Sequence, residues 1–315
     1  MTDKVTRVMI YHATNAFAYQ TYLEQRGLAT RVITSKEDLQ GGIAEGDQIL
    51  LSWRLPIAWF EANQKIAWLQ SMGAGVDDLF FEHKELPFRQ ITRIIDQFGD
   101  PIAEYVFAYL LYLEKQIETI REAQIAREWA MIQPGHLHGK TIAVAGLGSI
   151  GQAVVKRARA FSMRVLGLSA TGRHADLVDH HYDPTQWTEM VAQADYLVLI
   201  MPLTKDTYHI IDHRVLKAMK KEAVLINVGR GALIQEEDLL LAMRTQTIRA
   251  AVLDVFEQEP LYSSHPLWDT PGVTITPHCS GLSQVKDVCD FFLQNFERFQ
   301  QGQPLLGQVD LTKQY

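Results

Sequence analysis

Short runs of apolar and β-branched residues alternate with stretches of helical periodicity along most of this chain. Such alternation is typical of βαβ units, in which helical crossovers join parallel strands. In the first third of the chain the pattern predicts five strands, at residues 8–11, 31–34, 48–52, 67–70 and 91–95. The sequence therefore predicts an α/β fold that begins with a small parallel sheet.

The alternation becomes sharper after residue 140. It predicts six further strands, at 141–145, 164–168, 196–200, 223–228, 250–253 and 273–276, and helices at 150–161, 185–193, 214–219 and 236–243. Six strands with helical crossovers are typical of a doubly wound nucleotide fold. A long helix over 102–127, with Pro101 at its first helical position, precedes this part, and a last helix over 283–301 follows it.

These elements predict two Rossmann-like or flavodoxin-like domains, each with a parallel sheet. One domain comprises residues 99–282. The other is discontinuous, because the last helix carries the chain back to the first domain, and it comprises residues 1–98 and 283–315. Aromatic residues cover more than one face of the long helix, which favours a helix-mediated homodimer. The alternative is that this helix packs wholly between the two domains.

Composition and charge exclude several classes of protein. The 315 residues are 47% hydrophobic and 21% charged, with a net charge of -7, and they contain no run of Lys and Arg that would bind nucleic acid. The longest near-apolar stretch, 105–113, is too short to cross a membrane. Two cysteines in so long a chain indicate no disulfide scaffold. We therefore expect a reduced, cytoplasmic protein.

A glycine-rich turn directly follows the predicted strand 141–145 and opens a helix. It reads Gly146, Leu147, Gly148, Ser149, Ile150 and Gly151. In this context the first glycine permits the tight turn, the second lets the backbone approach a pyrophosphate, and the third lets helix and strand pack closely. The alternative is a turn without a ligand. We predict that these six residues bind a dinucleotide at the helix N-terminus.

The next strand end suggests which dinucleotide is bound. NAD sites usually carry an acidic residue about 20 residues after the first glycine, where it binds the ribose 2'-hydroxyl. This chain has Ser169 there, with Arg173 close behind. A hydroxyl and a guanidinium can donate to a 2'-phosphate, which a carboxylate would repel. The sequence favours NADPH over NADH, unless Arg173 is only a solvated loop residue.

Three segments beyond later strands carry a family resemblance. They are Asn-Val-Gly-Arg-Gly at 227–231, Leu-Asp-Val-Phe-Glu-Gln-Glu-Pro at 253–260 and Thr-Pro-His at 276–278. With the glycine-rich turn and Met-Pro-Leu-Thr at 201–204, they resemble the D-isomer-specific 2-hydroxyacid dehydrogenases over nearly the whole chain. The loop 71–77 and the tail 307–310 resemble the A-type glyoxylate/hydroxypyruvate reductases.

The resemblance implies an NAD(P)-dependent oxidoreductase that reduces small 2-oxo acids, glyoxylate and hydroxypyruvate, to 2-hydroxy acids. Residues 99–282 would bind the dinucleotide, and the discontinuous domain would bind the substrate. A dehydrogenase of a bulkier D-2-hydroxy acid is one alternative. Another is a non-enzymatic scaffold that senses NAD(P).

Three residue types in these segments suit the reduction of a 2-oxo acid. Arg230 can bind carboxylate and carbonyl oxygens with its planar, permanently charged fork. His278 can protonate the developing alkoxide, because imidazole titrates near neutral pH. Glu259 can pair with His278 and orient its ring. The family resemblance implies the same roles, although each residue alone has an ordinary alternative: a solvated arginine, a turn acid or a structural histidine.

Further contacts are predicted around these three residues. The backbone of Gly73, Ala74, Gly75 and Val76 would bind the substrate carboxylate, as the family's equivalent loop does, unless it is an ordinary turn. Trp53 and Arg54 would line the substrate pocket, although Trp53 is equally well a core residue. By the same resemblance, Asp254 contacts the nicotinamide carboxamide. The remaining predicted cofactor contacts are Pro202, Thr207, Val228, Gly229 and Ser280.

Other chemistry-bearing residues predict no second site. His136 and His138, and likewise His180 and His181, lack cysteine or carboxylate companions at ligand spacing, so we expect solvated loop histidines and no metal. Cys279 is predicted to be a small apolar filler. Trp129 would line a pocket or a dimer contact.

Overall fold

The computed structural model describes residues 7–40, 47–54, 56–59, 66–81 and 86–311. The chain divides into two compact units. Unit 1 comprises Met1–Gln97 and Ser283–Tyr315, and unit 2 comprises Phe98–Leu282. The assignment of substrate binding to one domain and dinucleotide binding to the other stays a prediction.

Twelve strands and ten α-helices lie within the described residues. The strands are β1 (Arg7–Tyr11), β2 (Thr30–Val32), β3 (Asp47–Ser52), β4 (Ile66–Ser71), β5 (Phe88–Thr92), β6 (Thr141–Ala145), β7 (Arg164–Leu168), β8 (His180–Tyr182), β9 (Tyr196–Leu199), β10 (Val224–Asn227), β11 (Ala250–Leu253) and β12 (Val273–Ile275). The helices are α1 (Ala16–Glu24), α2 (Lys36–Gln40), α3 (Asp78–Phe81), α4 (Gly99–Glu114), α5 (Ile117–Ala126), α6 (Ser149–Ala160), α7 (Trp187–Val191), α8 (His213–Ala218), α9 (Glu236–Arg244) and α10 (Val285–Gln300).

Each unit is built on one parallel sheet. In unit 1 the strand order is β2-β1-β3-β4-β5, which is the flavodoxin-like order. In unit 2 the order is β12-β11-β10-β9-β6-β7-β8. Counted from β6, this is the Rossmann order 3-2-1-4-5-6 with one further strand at the edge. The predicted fold class, two α/β domains with parallel sheets, is confirmed.

The prediction of six strands in the second part was wrong by one strand. β8 contains His180 and His181 and pairs in parallel with β7. These two histidines therefore lie in an edge strand and not in a loop. The strand was missed because it has only three residues, two of them polar, and its apolar-to-polar alternation is too short to recognise.

The predicted long helix is also corrected. It begins at Gly99, so that Pro101 is its third residue, and it ends at Glu114. A separate helix, α5, begins after Gln116, whose φ of 51° is left-handed. The apolar pattern continues through this break, because one residue in an unusual backbone conformation leaves the spacing of its neighbours almost unchanged.

Some predicted bounds move because of tertiary hydrogen bonds. The fifth strand is Phe88–Thr92 and not 91–95, because the amides beyond it bond elsewhere: Arg93 N–H donates to Gly307 O and Ile94 N–H to Gly73 O, both at 2.9 Å. The helix predicted at 185–193 is shorter, Trp187–Val191.

The C-terminal helix α10 completes the core of unit 1. Trp68 of β4 stacks on Phe292 with ring centroids 5.2 Å apart, and both side chains are fully buried. Buried Asn295 bonds the Gln70 Oε1 atom of β4 through its Nδ2 at 3.1 Å. The discontinuity of this unit in sequence therefore corresponds to one continuous core in space.

The core of unit 2 lies on both faces of its sheet. Strands β6, β9, β10 and β11 are buried at every position and mostly apolar, with Asn227 at the end of β10. This pattern is typical of central parallel strands that helices cover on both sides. None of the helices in the described ranges is both long and apolar enough to cross a bilayer.

Candidate active site

The glycine-rich turn connects β6 to α6. Gly146 has φ of 108°, and a Cβ there would meet the backbone of Ile200 and Met201 at 2.9–3.0 Å. A Cβ on Gly151 would collide with the Gly146 carbonyl oxygen. Gly148 is the N-cap of α6, and a Cβ added to it would meet no atom within 4 Å. The turn therefore fits a pyrophosphate, because it leaves room in front of the first amides of a helix.

The other turn residues lie on both sides of this opening. The Leu147 side chain is buried and packs toward Gly167 of β7, whereas Ser149 is exposed. Ser169 follows β7, and its Oγ lies 2.9 Å from Nε2 of His181. Arg173 lies in the exposed turn that follows. The end of β7 thus carries a hydroxyl and an imidazole where an NAD site would carry an acid.

Four predicted cofactor residues follow the next strands. Pro202 and Thr207 follow β9, and Thr207 Oγ1 donates to Pro202 O at 2.9 Å. Val228 and Gly229 follow β10, where Gly229 N–H donates to Asn227 Oδ1 at 3.1 Å. All four lie beyond the carboxyl ends of strands, where open parallel sheets bind ligands. Their contacts with a cofactor stay predictions.

The three predicted catalytic residues follow three adjacent strands. Arg230 lies beyond β10, Glu259 beyond β11 and His278 beyond β12, and β11 pairs with both of its neighbours. His278 Nδ1 lies 2.8 Å from Glu259 Oε2. Their side chains are 31% and 19% exposed, so the pair is shielded but reachable from solvent.

Backbone contacts hold together the loops that carry the predicted catalytic residues. Phe256 N–H donates to Glu259 Oε1 at 3.1 Å, so both carboxylate oxygens of Glu259 are engaged. A Cβ on Gly231 would collide with the backbone of Phe256 and Glu257. The loop that carries Arg230 therefore packs directly against the loop that carries Glu259. Arg230 itself donates from Nη1 to Gly229 O at 2.8 Å.

Asp254 organises the loop that carries His278. Its carboxylate is fully buried and accepts hydrogen bonds from Thr276 Oγ1 at 2.5 Å and from the N–H groups of Cys279 at 2.8 Å and Ser280 at 2.9 Å. The His278 N–H donates to Asp254 O at 2.9 Å, and His278 adopts a φ of 52°. The predicted carboxamide contact of Asp254 and cofactor contact of Ser280 stay predictions.

Sequence reasoning did not find a tyrosine that joins this network. Tyr105 of α4 lies with its hydroxyl 2.6 Å from Thr276 Oγ1. Since the Thr276 hydrogen is donated to Asp254, Tyr105 is the donor to Thr276. Burial raises the pKa of Tyr105 and keeps its proton in place. Nothing in the sequence signals this contact, because it joins residues 171 positions apart.

Cys279 differs from its prediction as an apolar filler. It is exposed, whereas Cys289 is buried, and both are free. Desolvation and the Asp254 carboxylate raise the pKa of the Cys279 thiol, which disfavours a reactive thiolate. Within the described ranges, no group of three or more His, Cys, Asp or Glu residues has the geometry to hold a metal ion.

The predicted substrate residues of unit 1 follow β3 and β4. The Trp53 ring covers Gly73 so closely that a Cβ there would collide with it. The Arg54 guanidinium lies 5.3 Å from the centroid of this ring. Of the loop 73–76, Val76 is buried in the core, and Ala74 O accepts from Arg93 Nη1 at 3.3 Å. Trp53, Arg54, Gly73, Ala74, Gly75 and Val76 thus lie at one edge of the sheet, and their contacts with a substrate stay predictions.

The sheet order, the glycine-rich turn and the histidine–carboxylate pair define a dinucleotide-dependent dehydrogenase. A family model described as "D-isomer specific 2-hydroxyacid dehydrogenase, NAD binding domain" matches residues 107–280. The chain belongs to this family of NAD(P)-dependent oxidoreductases acting on a CH–OH group.

Known relatives and solved structures are similar to this chain over almost its full length. The glyoxylate reductase of Pyrococcus horikoshii is 28% identical over 96% of this chain and 92% of its own. The glyoxylate/hydroxypyruvate reductase A of Yersinia enterocolitica is also 28% identical, over 96% of this chain and 100% of its own.

Among solved structures, a D-isomer specific 2-hydroxyacid dehydrogenase family protein from Aeromonas salmonicida is 36% identical, with a TM-score of 0.86 over 97% of this chain and 99% of that one. A D-isomer specific 2-hydroxyacid dehydrogenase from Xanthobacter autotrophicus in complex with NADPH and MES is 27% identical, with a TM-score of 0.88 over 99% and 100%. The predictions of the family and of a nicotinamide dinucleotide cofactor are confirmed.

Proposed function

We propose that this protein reduces glyoxylate and hydroxypyruvate to the corresponding 2-hydroxy acids with NADPH. The observation that carries the proposal is the hydrogen bond of 2.8 Å between His278 and Glu259, beside the loop of Arg230. This arrangement supplies a proton donor, and the adjacent loop carries a cation; these are the two groups that reduction of a 2-oxo acid needs from the protein. Relatives named as reductases of these two acids support the choice of substrate.

The residues of the site have distinct tasks in this reaction. NADPH, when bound, supplies the hydride that adds to the carbonyl carbon. Arg230 binds the substrate carboxylate and draws charge toward the carbonyl oxygen. Glu259 accepts a hydrogen bond from Nδ1–H of His278, so that the Nε2 proton of the imidazolium is the one given to the alkoxide. The pair then becomes neutral imidazole and carboxylate, with Nδ1–H still bonded to Glu259.

The residues after β7 support NADPH as the preferred cofactor. Ser169 and Arg173 offer a side-chain O–H and a guanidinium just beyond this strand, and none of the residues 169–173 is acidic. The 2'-phosphate is an acceptor-only dianion, so donors favour it and a carboxylate would disfavour it. We expect a higher kcat/KM for NADPH than for NADH, and a preference for NADH would contradict the assignment.

The function is tested with purified protein and a panel of 2-oxo acids of increasing side-chain size. The rate of each reaction is measured from the absorbance of the reduced cofactor. We expect His278→Ala to lower kcat by roughly 10²- to 10⁴-fold, with circular dichroism unchanged. His213→Ala, an exposed histidine of α8, is the matched control and retains activity. Near-normal turnover by His278→Ala contradicts the mechanism.

The panel of 2-oxo acids separates the proposed function from its alternatives. Turnover of bulky acids alone favours a dehydrogenase of a bulkier D-2-hydroxy acid, and turnover of none of the acids favours a non-enzymatic scaffold.

A homodimer is part of the proposal. Helix α5 has no buried residue, and the segment from α5 to Met131 exposes large apolar side chains, with Trp129 96% and Met131 91% exposed. An apolar surface of this kind is typical of a protein–protein contact. We also propose a cytoplasmic location, which the two free cysteines support.

A further inference from the structure

His181 is bonded to the residue that is proposed to read the cofactor. It lies in the middle of the edge strand β8, and its Nε2 is 2.9 Å from Ser169 Oγ. In the register of β7 and β8, His181 lies opposite Gly167, two residues before Ser169. Because Gly167 has no side chain, nothing on β7 at that position separates the imidazole from the serine.

The face of the sheet on which this pair lies is the face of the glycine-rich turn. Side chains alternate along a strand, so Gly167, Ser169 and His181 share one face, and Leu168 and Tyr182 lie on the other, in the core. A Cβ on Gly167 would lie 2.9 Å from Leu147 Cδ1, a side chain of the turn. His181 therefore faces the side of unit 2 that the dinucleotide would occupy.

We propose that His181 is a positioning residue for recognition of the 2'-phosphate of NADPH and acts through Ser169. When Nε2–H donates to Ser169 Oγ, the serine hydroxyl hydrogen must point away from the ring and is directed to another acceptor. A phosphate oxygen is such an acceptor, and an imidazolium would add a positive charge beside it. The inference rests on the proposed NADPH preference and names a residue beyond Ser169 and Arg173 that determines it.

The test compares two ligands that differ only in the 2'-phosphate, 2',5'-ADP and 5'-AMP, by titration calorimetry on the full-length protein. We expect His181→Phe to weaken 2',5'-ADP binding about tenfold, the effect of losing one charge-assisted hydrogen bond, and to leave 5'-AMP binding unchanged. His181→Gln retains a donor near the Nε2 position and is expected to recover most of the affinity. His180→Phe changes the same residue type on the opposite face and serves as the control.

Kinetics supply an independent readout. In His181→Phe, kcat/KM is expected to fall about tenfold for NADPH, mainly through KM, and to stay constant for NADH, which a general folding defect would not do. If His181→Phe does not fold, a His181→Asn variant replaces it. The asparagine donor lies near the Nδ1 position instead of Nε2, so this variant is compared with the wild type and with His181→Gln.

The outcomes separate the two proposals. If the wild type prefers 2',5'-ADP and the His181 variants bind it equally well, the inference is overturned and the NADPH preference stands. Equal loss of both ligands shows a structural role and also overturns it. If the wild type itself binds both ligands alike, the NADPH preference fails and the role of His181 fails with it.

Discussion

The carboxylate of Glu259 engages two partners at once, the His278 ring and the Phe256 amide. Residue types at strand ends predict the chemistry of this pair, because a 2-oxo acid needs a proton donor and a cation whatever the details of the fold. The distance of 2.8 Å depends on the packing of the loops beyond β11 and β12, which no local pattern encodes.

Glu259→Gln tests the contribution of the negative charge. The amide can still accept from His278, but it no longer stabilises the imidazolium. We expect kcat to fall about 10- to 100-fold, as for loss of a charged hydrogen bond. The free energy of unfolding should fall by about 1–3 kcal/mol, because the single amide oxygen cannot accept from both the His278 ring and the Phe256 N–H. Steady-state kinetics and urea unfolding measure the two quantities. Unchanged kcat would remove Glu259 from the mechanism.

Among the elements, the loop after β12 depends on a buried carboxylate. Asp254 holds Thr276 and the amides of Cys279 and Ser280, and Tyr105 of α4 extends the network. The sequence pattern predicts the loop but not these bonds. A helix and a strand that are far apart in the chain meet here, and only the folded structure brings them into contact.

Thr276→Val removes the hydroxyl between Tyr105 and Asp254 while nearly keeping the side-chain volume. It leaves a buried carboxylate oxygen with one donor fewer, so we expect a loss of about 1–3 kcal/mol in the free energy of unfolding and a lower kcat, because His278 is held by the same loop. Tyr105→Phe keeps the bond from Thr276 to Asp254 and should cost less. A larger loss in Tyr105→Phe than in Thr276→Val would contradict this ranking.

The C-terminal helix α10 is tied to the sheet of unit 1 by a buried amide. Asn295 is fully buried, and its Oδ1 accepts from Leu306 N–H at 2.7 Å while its Nδ2 donates to Gln70 Oε1 and Leu306 O. Its predicted position in a helix was correct, but apolar periodicity gives no reason for a polar residue on the buried face.

Asn295→Leu is expected to lower the free energy of unfolding by about 2–4 kcal/mol, because the half-buried Leu306 N–H and O lose their partner and the buried Gln70 Oε1 loses a donor. Gln294→Leu, on the exposed side of the same helix, is the matched control and should change stability by less than about 0.5 kcal/mol. Urea denaturation of both variants gives the comparison. Equal stability of the two would show that the buried network contributes nothing.

For the whole molecule, the exposed segment from α5 to Met131 is the basis of the proposed homodimer. Light scattering of the wild type should give about twice the mass of 35.8 kDa. A double change, Ile125→Asp and Trp129→Asp, places charges on this surface and should shift the protein toward the monomer. Phe17→Asp, an exposed apolar residue of unit 1, is the control. A monomeric wild type would exclude the homodimer.

Local patterns in the amino-acid sequence suffice to predict the α/β class, most strands of both sheets, the glycine-rich turn and the residue types of the site. These follow from local signals, which are the alternation of apolar and polar positions, glycines where the backbone must turn tightly, and chemical groups at strand ends. The break at Gln116 and the edge strand β8 were not determined, because each is too short to change the local pattern.

The packing of the folded chain determines which distant residues meet. It joined Tyr105 to Thr276, His181 to Ser169 and α10 to the first sheet. Hydrogen bonds of this kind form between groups that become neighbours only after the strands are ordered into sheets. Their geometry is therefore a property of the packed chain, whereas the identity of the groups is a property of the sequence.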